Sequence, residues 1–186
     1  WGLNDHIRQE AEKYYKALGN VNVIAIDLYD KNVTASRDSA AKYMSAVKKE
    51  RAESIIKGAL NYAGEKAKIA AVGWCFGGGW SLQASMLAGI NARACVMYYG
   101  MPEKEQTKLE NLFCPVLMIW PKKDQWINKN VVTEFQATMG RAKKDLKVKS
   151  YDADHAFANP SNPKYNKALA DDAFKNSIAF IKKRLK

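Results

Sequence analysis

One pentapeptide, Gly73-Trp74-Cys75-Phe76-Gly77, constrains this chain more than any other stretch. It sets a cysteine between an apolar run, Ile69 to Val72, and a glycine-started segment that continues as a helix, Trp80 to Leu87. A strand that turns directly into a helix is so tight that side chains two positions either side of the tip collide with neighbouring backbone. The tip residue itself is forced into strained dihedrals. Gly73, Gly77, Gly78 and Gly79 answer that demand. The pattern is a nucleophile elbow with a thiol at its tip. The helix that follows aims its N-terminal N–H groups at Cys75, which favours a thiolate and any oxyanion formed beside it. A cysteine that merely fills a core needs no such glycines.

An elbow nucleophile works with an acid and a base, each on the loop after a further strand, in the chain order nucleophile, acid, histidine. The chain has only two histidines. His155 follows the strand-like run Lys147 to Tyr151, and Asp124 follows the apolar run Val116 to Trp120. The separations from Cys75 to Asp124 and on to His155, roughly 50 and 30 residues, each leave room for one helix and one return strand of a parallel sheet. Asp152 and Asp154 compete with Asp124 for the acid role, but the acid should reach the imidazole from a separate strand end, opposite the nucleophile. Order along the chain favours Asp124. His6, near the start of the first helix, has no acid fixed by the pattern and reads as a solvated surface residue. Cys95 and Cys114 lie in or at the start of apolar strands, where cysteine packs as a small hydrophobe.

Helical and strand patterns alternate along the chain. Helices are expected at Asn4 to Leu18, Ser39 to Lys48, Arg51 to Ala63, the elbow helix to Ala88, Lys104 to Leu112, Asn128 to Met139 and Tyr165 to Leu185. Strands are expected at Val21 to Ile26, Lys68 to Val72, Ala94 to Tyr99, Pro115 to Trp120 and Lys147 to Tyr151. Alternation of this kind gives a parallel sheet covered on both faces. The runs Val-Asn-Val-Ile-Ala-Ile and Val-Leu-Met-Ile-Trp are nearly all apolar, as strands buried on both faces are. The fold class is α/β, with one domain spanning 1–186.

These motifs together resemble the dienelactone hydrolase family of the α/β-hydrolase fold, over nearly the whole chain. The resembling segments are Trp1-Gly2-Leu3-Asn4, Asp27-Leu28-Tyr29, Gly73 to Gly79, Tyr98-Tyr99-Gly100, Lys123-Asp124 and Asp154-His155-Ala156-Phe157. The resemblance implies Cys75 as nucleophile, His155 as base, Asp124 as its orienting acid and a cofactor-free attack on an ester or lactone. It places the family's first strands upstream of Trp1, along with a loop that supplies one oxyanion donor and a glutamate that contacts the resting cysteine. The other donor is the backbone N–H of Phe76, the residue after the nucleophile. Dienelactone-specific members resemble one another in setting arginines around the substrate carboxylate, one of them soon after the histidine. Here Ala156, Phe157, Ala158 and Asn159 follow instead, and Arg37 is a candidate for the other arginine. The fold and triad of the family therefore carry over better than its named substrate.

Composition narrows the alternatives. With 186 residues, 47% hydrophobic and 26% charged, the chain is of ordinary globular make-up, and no apolar run approaches the ~20 residues of a membrane span. Three cysteines without paired spacing argue against a disulfide framework and favour the cytoplasm, although the Trp1 start leaves a secreted or periplasmic location open. The glycine cluster lacks the spacing of a nucleotide loop, and two histidines without a Cys-x-x-Cys pair give zinc no ligand set. No cofactor or metal is implied. The formal net charge of +11 raises nucleic-acid binding. Yet the basic runs Lys48 to Arg51, Arg141 to Lys144 and Lys182 to Lys186 sit at expected helix ends, where cations complement the dipole and form solvated faces.

The expected partner is a small-molecule ester or lactone, with no nucleic acid and no membrane; oligomeric state is not legible. Trp126 follows Asp124 on the same loop and is the best candidate for a pocket wall, with Trp1 as a further aromatic. A thioesterase or acyl transferase with the same triad, and a non-catalytic basic binding protein on a hydrolase scaffold, remain as alternative readings.

Overall fold

The computed structural model describes residues 1–186, and its backbone divides into two compact units, Trp1–Glu65 and Lys66–Lys186. The first unit carries three helices, α1 (Asp5–Leu18), α2 (Arg37–Ala46) and α3 (Lys49–Ala63). Asn4 caps α1 by accepting the Ile7 N–H, and Gly19, at a φ of 82°, ends it. Between α1 and α2 the Asp27 carboxylate accepts the N–H groups of Tyr29 and Lys31, a turn that places Asp30 and Lys31 at positive φ. Asp30 then receives the Arg51 guanidinium from α3.

Two expectations fail in this unit. Val21 to Ile26 forms no strand, and Ile24 stays 43% exposed. The run has strand composition, but a strand exists only through ladder bonds, and no segment of its own unit supplies them. The basic run Lys48 to Arg51 lies at the start of α3 instead of at a helix end, where the dipole disfavours cations. Side-chain pairing offsets this: Arg51 meets Asp30, and Lys49 lies 3.6 Å from Glu53. The other two basic runs do close helices.

The second unit is a four-stranded, wholly parallel sheet in the order β1 (Ile69–Trp74), β2 (Ala92–Tyr98), β3 (Val116–Pro121), β4 (Leu146–Tyr151). Its helices are α4 (Phe76–Leu87), the short α5 (Gln106–Leu109), α6 (Lys129–Arg141) and α7 (Lys167–Leu185). α5 is shorter than expected because the Glu103 carboxylate takes the N–H groups of Lys104 and Glu105 before the helix starts. Side chains alternate across a strand, so Cys95, Met97, Val116 and Met118 share one face. They form a core with Leu82 of α4 and Val132, Phe135 and Met139 of α6. On the opposite face Tyr98 donates to, or accepts from, Ser177 of α7 at 2.7 Å. Central strands β2 and β3 are almost fully buried, whereas edge strand β4 shows Lys147 and Ser150 to solvent. No helix is long and apolar enough to cross a membrane.

Because all four strands run the same way, their C-terminal ends share one edge of the sheet. Ligands of open parallel sheets bind outside that edge.

Candidate active site

Each strand delivers one segment to that edge. β1 ends in Cys75, which sits between strand and helix at φ 53° and ψ −119°, dihedrals that L residues rarely adopt. Its N–H donates to Tyr98 O at 2.9 Å, and its carbonyl accepts from Gly78 at 2.9 Å. The elbow is therefore bonded both to the neighbouring strand and to the first turn of α4, and this holds the strained residue in place. The glycines are explained unequally. A Cβ on Gly73 would lie 1.9 Å from Gly77 O, one on Gly78 2.8 Å from Tyr98 O, and one on Gly79 2.8 Å from Met101 O. A Cβ on Gly77 would meet nothing within 4 Å, so the steric demand expected there is absent.

β3 delivers the loop with Asp124, and β4 the loop with His155. The imidazole bridges the two other groups: Nε2 lies 3.2 Å from Cys75 Sγ and Nδ1 lies 2.6 Å from Asp124 Oδ2. The Asp124 side chain is wholly buried and that of His155 is 18% exposed, whereas Cys75 is exposed. The second Asp124 oxygen, Oδ1, accepts the N–H groups of Trp126 and Ile127 at 2.9 and 3.0 Å. The carboxylate is thus fixed by its own loop before it meets the histidine. The two loops are stitched together by the Lys122 N–H on Tyr151 O and the Lys123 N–H on Ala153 O. Asp152 and Asp154 face other groups, lying 3.2 Å from Lys123 and 4.0 Å from Lys164.

Aromatic rings hold the imidazole on two sides. The buried Tyr99 ring is 5.0 Å from it and the exposed Trp126 ring 5.1 Å, centroid to centroid. The sequence marked Tyr99 only as part of the resembling segment Tyr98-Tyr99-Gly100. Its contact with His155 depends on a φ of 39° at Tyr99, which no local pattern announces. Ala156, directly after the histidine, is also left-handed, at φ 61°. Trp1 and Arg37 belong to the Trp1–Glu65 unit, where Trp1 is half exposed and Arg37 is the exposed first residue of α2.

The electrostatics of the pair follow from these contacts. Loss of water around the Cys75 sulfur works to raise its pKa. The hydrogen bond and charge of His155, joined by the Phe76 N–H, outweigh that and hold the thiol below its ordinary 9.0. Burial works to lower the pKa of His155, but the hydrogen bond to Asp124, then the one to Cys75, raise it to about 9. The two shifts are coupled, each favouring the thiol proton on the imidazole, and they belong to the pair more than to either residue. Cys95 and Cys114 behave in the opposite way: burial pushes their thiols to about 12 and about 11, so neither ionises at neutral pH. No cluster of three or more His, Cys, Asp or Glu side chains stands close enough to hold a metal ion.

A parallel α/β sheet with a strained cysteine elbow after one strand and an Asp–His contact after the next ones defines the α/β-hydrolase class. Residues 1–185 match the dienelactone hydrolase family, and the chain belongs to it. Similar relatives include Protein usf of Aquifex pyrophilus, 26% identical over all of this chain and 85% of its own. Another, from Aquifex aeolicus, is named "Putative carboxymethylenebutenolidase" and is 25% identical over all of this chain and 85% of its own. Among solved structures, one titled "Putative Dienelactone Hydrolase" from Klebsiella pneumoniae superposes with a TM-score of 0.82. It is 21% identical and covers 96% of this chain and 81% of its own, which is a likeness of fold. The chain is a hydrolase of the ester- and lactone-cleaving class.

Proposed function

We propose that this hydrolase cleaves an activated ester or an enol lactone through Cys75, His155 and Asp124, without a cofactor. The observation that carries the reading is the single imidazole that reaches Cys75 Sγ with one nitrogen and the buried Asp124 carboxylate with the other. The lowered thiol and raised imidazole favour a resting pair in which His155 holds the thiol proton. The Cys75 thiolate attacks the carbonyl carbon, and the oxyanion formed accepts from the Phe76 N–H at the start of α4. The imidazolium then gives its proton to the departing alkoxide or enolate oxygen, leaving a thioester on Cys75. Water attacks that thioester while neutral His155 takes its proton. Collapse of the second tetrahedral adduct releases the acid and restores the thiolate–imidazolium pair.

Asp124 keeps Nδ1 protonated and stabilises the imidazolium throughout. Trp126, exposed and edge-on to His155, walls the acyl site and suits a planar group. The lactone named for the Aquifex aeolicus relative is one such substrate class. A thiolate favours leaving groups that depart readily, so peptides fit less well than enol or aryl esters. The test is hydrolysis of a panel of aryl esters and enol lactones by the wild type and by Cys75→Ala. Loss of turnover with an unchanged fold supports the reading, and retained turnover rejects it.

A further inference from the structure

The loop that presents Asp124 is fixed at Ile127 from three directions. The Ile127 N–H donates to Asp124 Oδ1 at 3.0 Å. Its side chain, 2% exposed, joins the core with Val132. Because Asn128 caps α6, Ile127 and Val132 stand at the two positions of a hydrophobic staple that sets the angle at which chain enters a helix. The third attachment comes from outside the loop. Trp120, on β3, donates its indole N–H to Ile127 O at 2.6 Å. Trp120 lies on the same sheet face as Val116 and Met118, partly buried against the same core, so its ring cannot swing away without leaving that packing. The strand that launches the loop therefore also grips its far end.

We propose that Trp120 is a positioning residue for the reaction: by holding Ile127 O, it keeps the Ile127 N–H, and through it the Asp124 carboxylate, aimed at His155 Nδ1. The inference rests on the triad reading above. Without the indole N–H the loop loses a side-chain hydrogen bond to the strand that precedes it, leaving only the packing of Ile127 in the shared core. The Trp126 and Ile127 amides then no longer fix Asp124 Oδ1 relative to the sheet, and the 2.6 Å contact of Oδ2 with the imidazole becomes one geometry among several. Trp120 touches none of the reacting atoms. Its effect has to pass through Asp124, and that requirement makes it testable.

The experiment is a double-mutant cycle of Trp120→Phe and Asp124→Asn in the full chain, with kcat and KM for an aryl ester measured across pH and the melting temperature recorded for each variant. Trp120→Phe is expected to lower kcat roughly 10- to 100-fold, as a misplaced catalytic group does, with KM little changed. The charged groups acting on His155 are Asp124 and Cys75, so a loosened Asp124 should also draw the alkaline limb of the profile below about 9. In the Asp124→Asn background the same change should cost almost nothing more, because the group it positions no longer functions. Multiplying losses, or an alkaline limb left in place, would overturn the proposal and leave Trp120 as core packing. An Asp124→Asn enzyme that turns over normally would instead reject the triad reading, and this inference with it. Should Trp120→Phe lower the melting temperature below the assay range, a benzothienyl side chain at position 120 keeps the bicyclic shape and removes only the N–H. The same two readouts then decide.

Discussion

Gly78 and Gly100 touch backbone to backbone: a Cβ on Gly100 would lie 2.4 Å from the Gly78 carbonyl carbon and from Gly79 N. The first turn of α4 can approach the end of β2 only because both positions lack side chains, and this approach sets where Cys75 and the Phe76 N–H point. Gly100→Ala should therefore push α4 off the sheet, destabilising the protein by about 1–3 kcal/mol or more, as overpacking does, and lowering turnover as well. Gly77→Ala is the contrasting variant. Its Cβ would meet nothing within 4 Å, and replacing glycine inside a helix should leave stability unchanged or raise it by up to ~1 kcal/mol. Thermal and denaturant melts of the two variants check the contrast.

The paired shifts of Cys75 and His155 fix the shape of the pH profile. Cys75 ionises below its ordinary 9.0, so kcat/KM should rise through a pKa lower than that of a free thiol. The imidazolium is held to about 9, so activity should fall as pH passes about 9 and the proton needed by the leaving group is lost. For stability the signs oppose each other. The raised His155 pKa contributes stability that is fully present below 6.5 and lost as pH rises through about 9. The depressed Cys75 pKa contributes stability that is present above 9.0 and lost as pH falls through its lowered value. Ultraviolet absorbance of the thiolate, followed against pH in the wild type and in Cys75→Ser, should show ionisation below the free-thiol range. A titration at the ordinary thiol value would contradict the ion pair.

Asp124, Asp152 and Asp154 should separate cleanly. Asp124→Asn should lower kcat by up to about 10⁴, as the loss of the orienting charge does in a serine triad. Asp152→Asn and Asp154→Asn remove only exposed pairs with Lys123 and Lys164 and should change kcat little. The check is the ranking of the three kcat values at one pH; a larger effect from either exposed aspartate would move the acid to a different loop.

Ala156 carries local strain at φ 61°, immediately after His155. Ala156→Val should cost roughly 1–3 kcal/mol, because a β-branched side chain resists the left-handed region, and should slow turnover by displacing His155. Ala156→Gly relieves the strain but loosens the unfolded chain, so its stability should stay within about 1 kcal/mol of the wild type. Melting curves and kcat for the two variants test both statements.

The sheet was readable from the sequence because three of its strands are short apolar runs and the fourth, Leu146–Tyr151, alternates, each bounded by Gly, Pro or Asp, and because strands alternating with helices leave few topologies. The same order brought Cys75, Asp124 and His155 to one edge before any geometry was known, since parallel strands must all end on the same side. Val21 to Ile26 shows the limit of this reasoning. Composition says that a run is able to be a strand, but only a partner elsewhere in the chain makes it one. Gly77 and Gly79 look alike in sequence, yet only Gly79 has backbone where a Cβ would stand. The Trp120–Ile127 hydrogen bond and the Tyr99–His155 contact were not readable either. Each depends on the path of a loop or on a positive φ at a non-glycine residue, and neither leaves a periodic trace.

In the proposed reaction Cys75 carries the acyl group between the two halves. Intact-protein and peptide mass spectrometry, after rapid mixing with an aryl ester and acid quench, reads that directly. One acyl mass per chain is expected on the peptide containing Cys75, with Cys95 and Cys114 unmodified, and no such adduct in Cys75→Ala. Full turnover by Cys75→Ala, or acylation of any other residue during turnover, would contradict it.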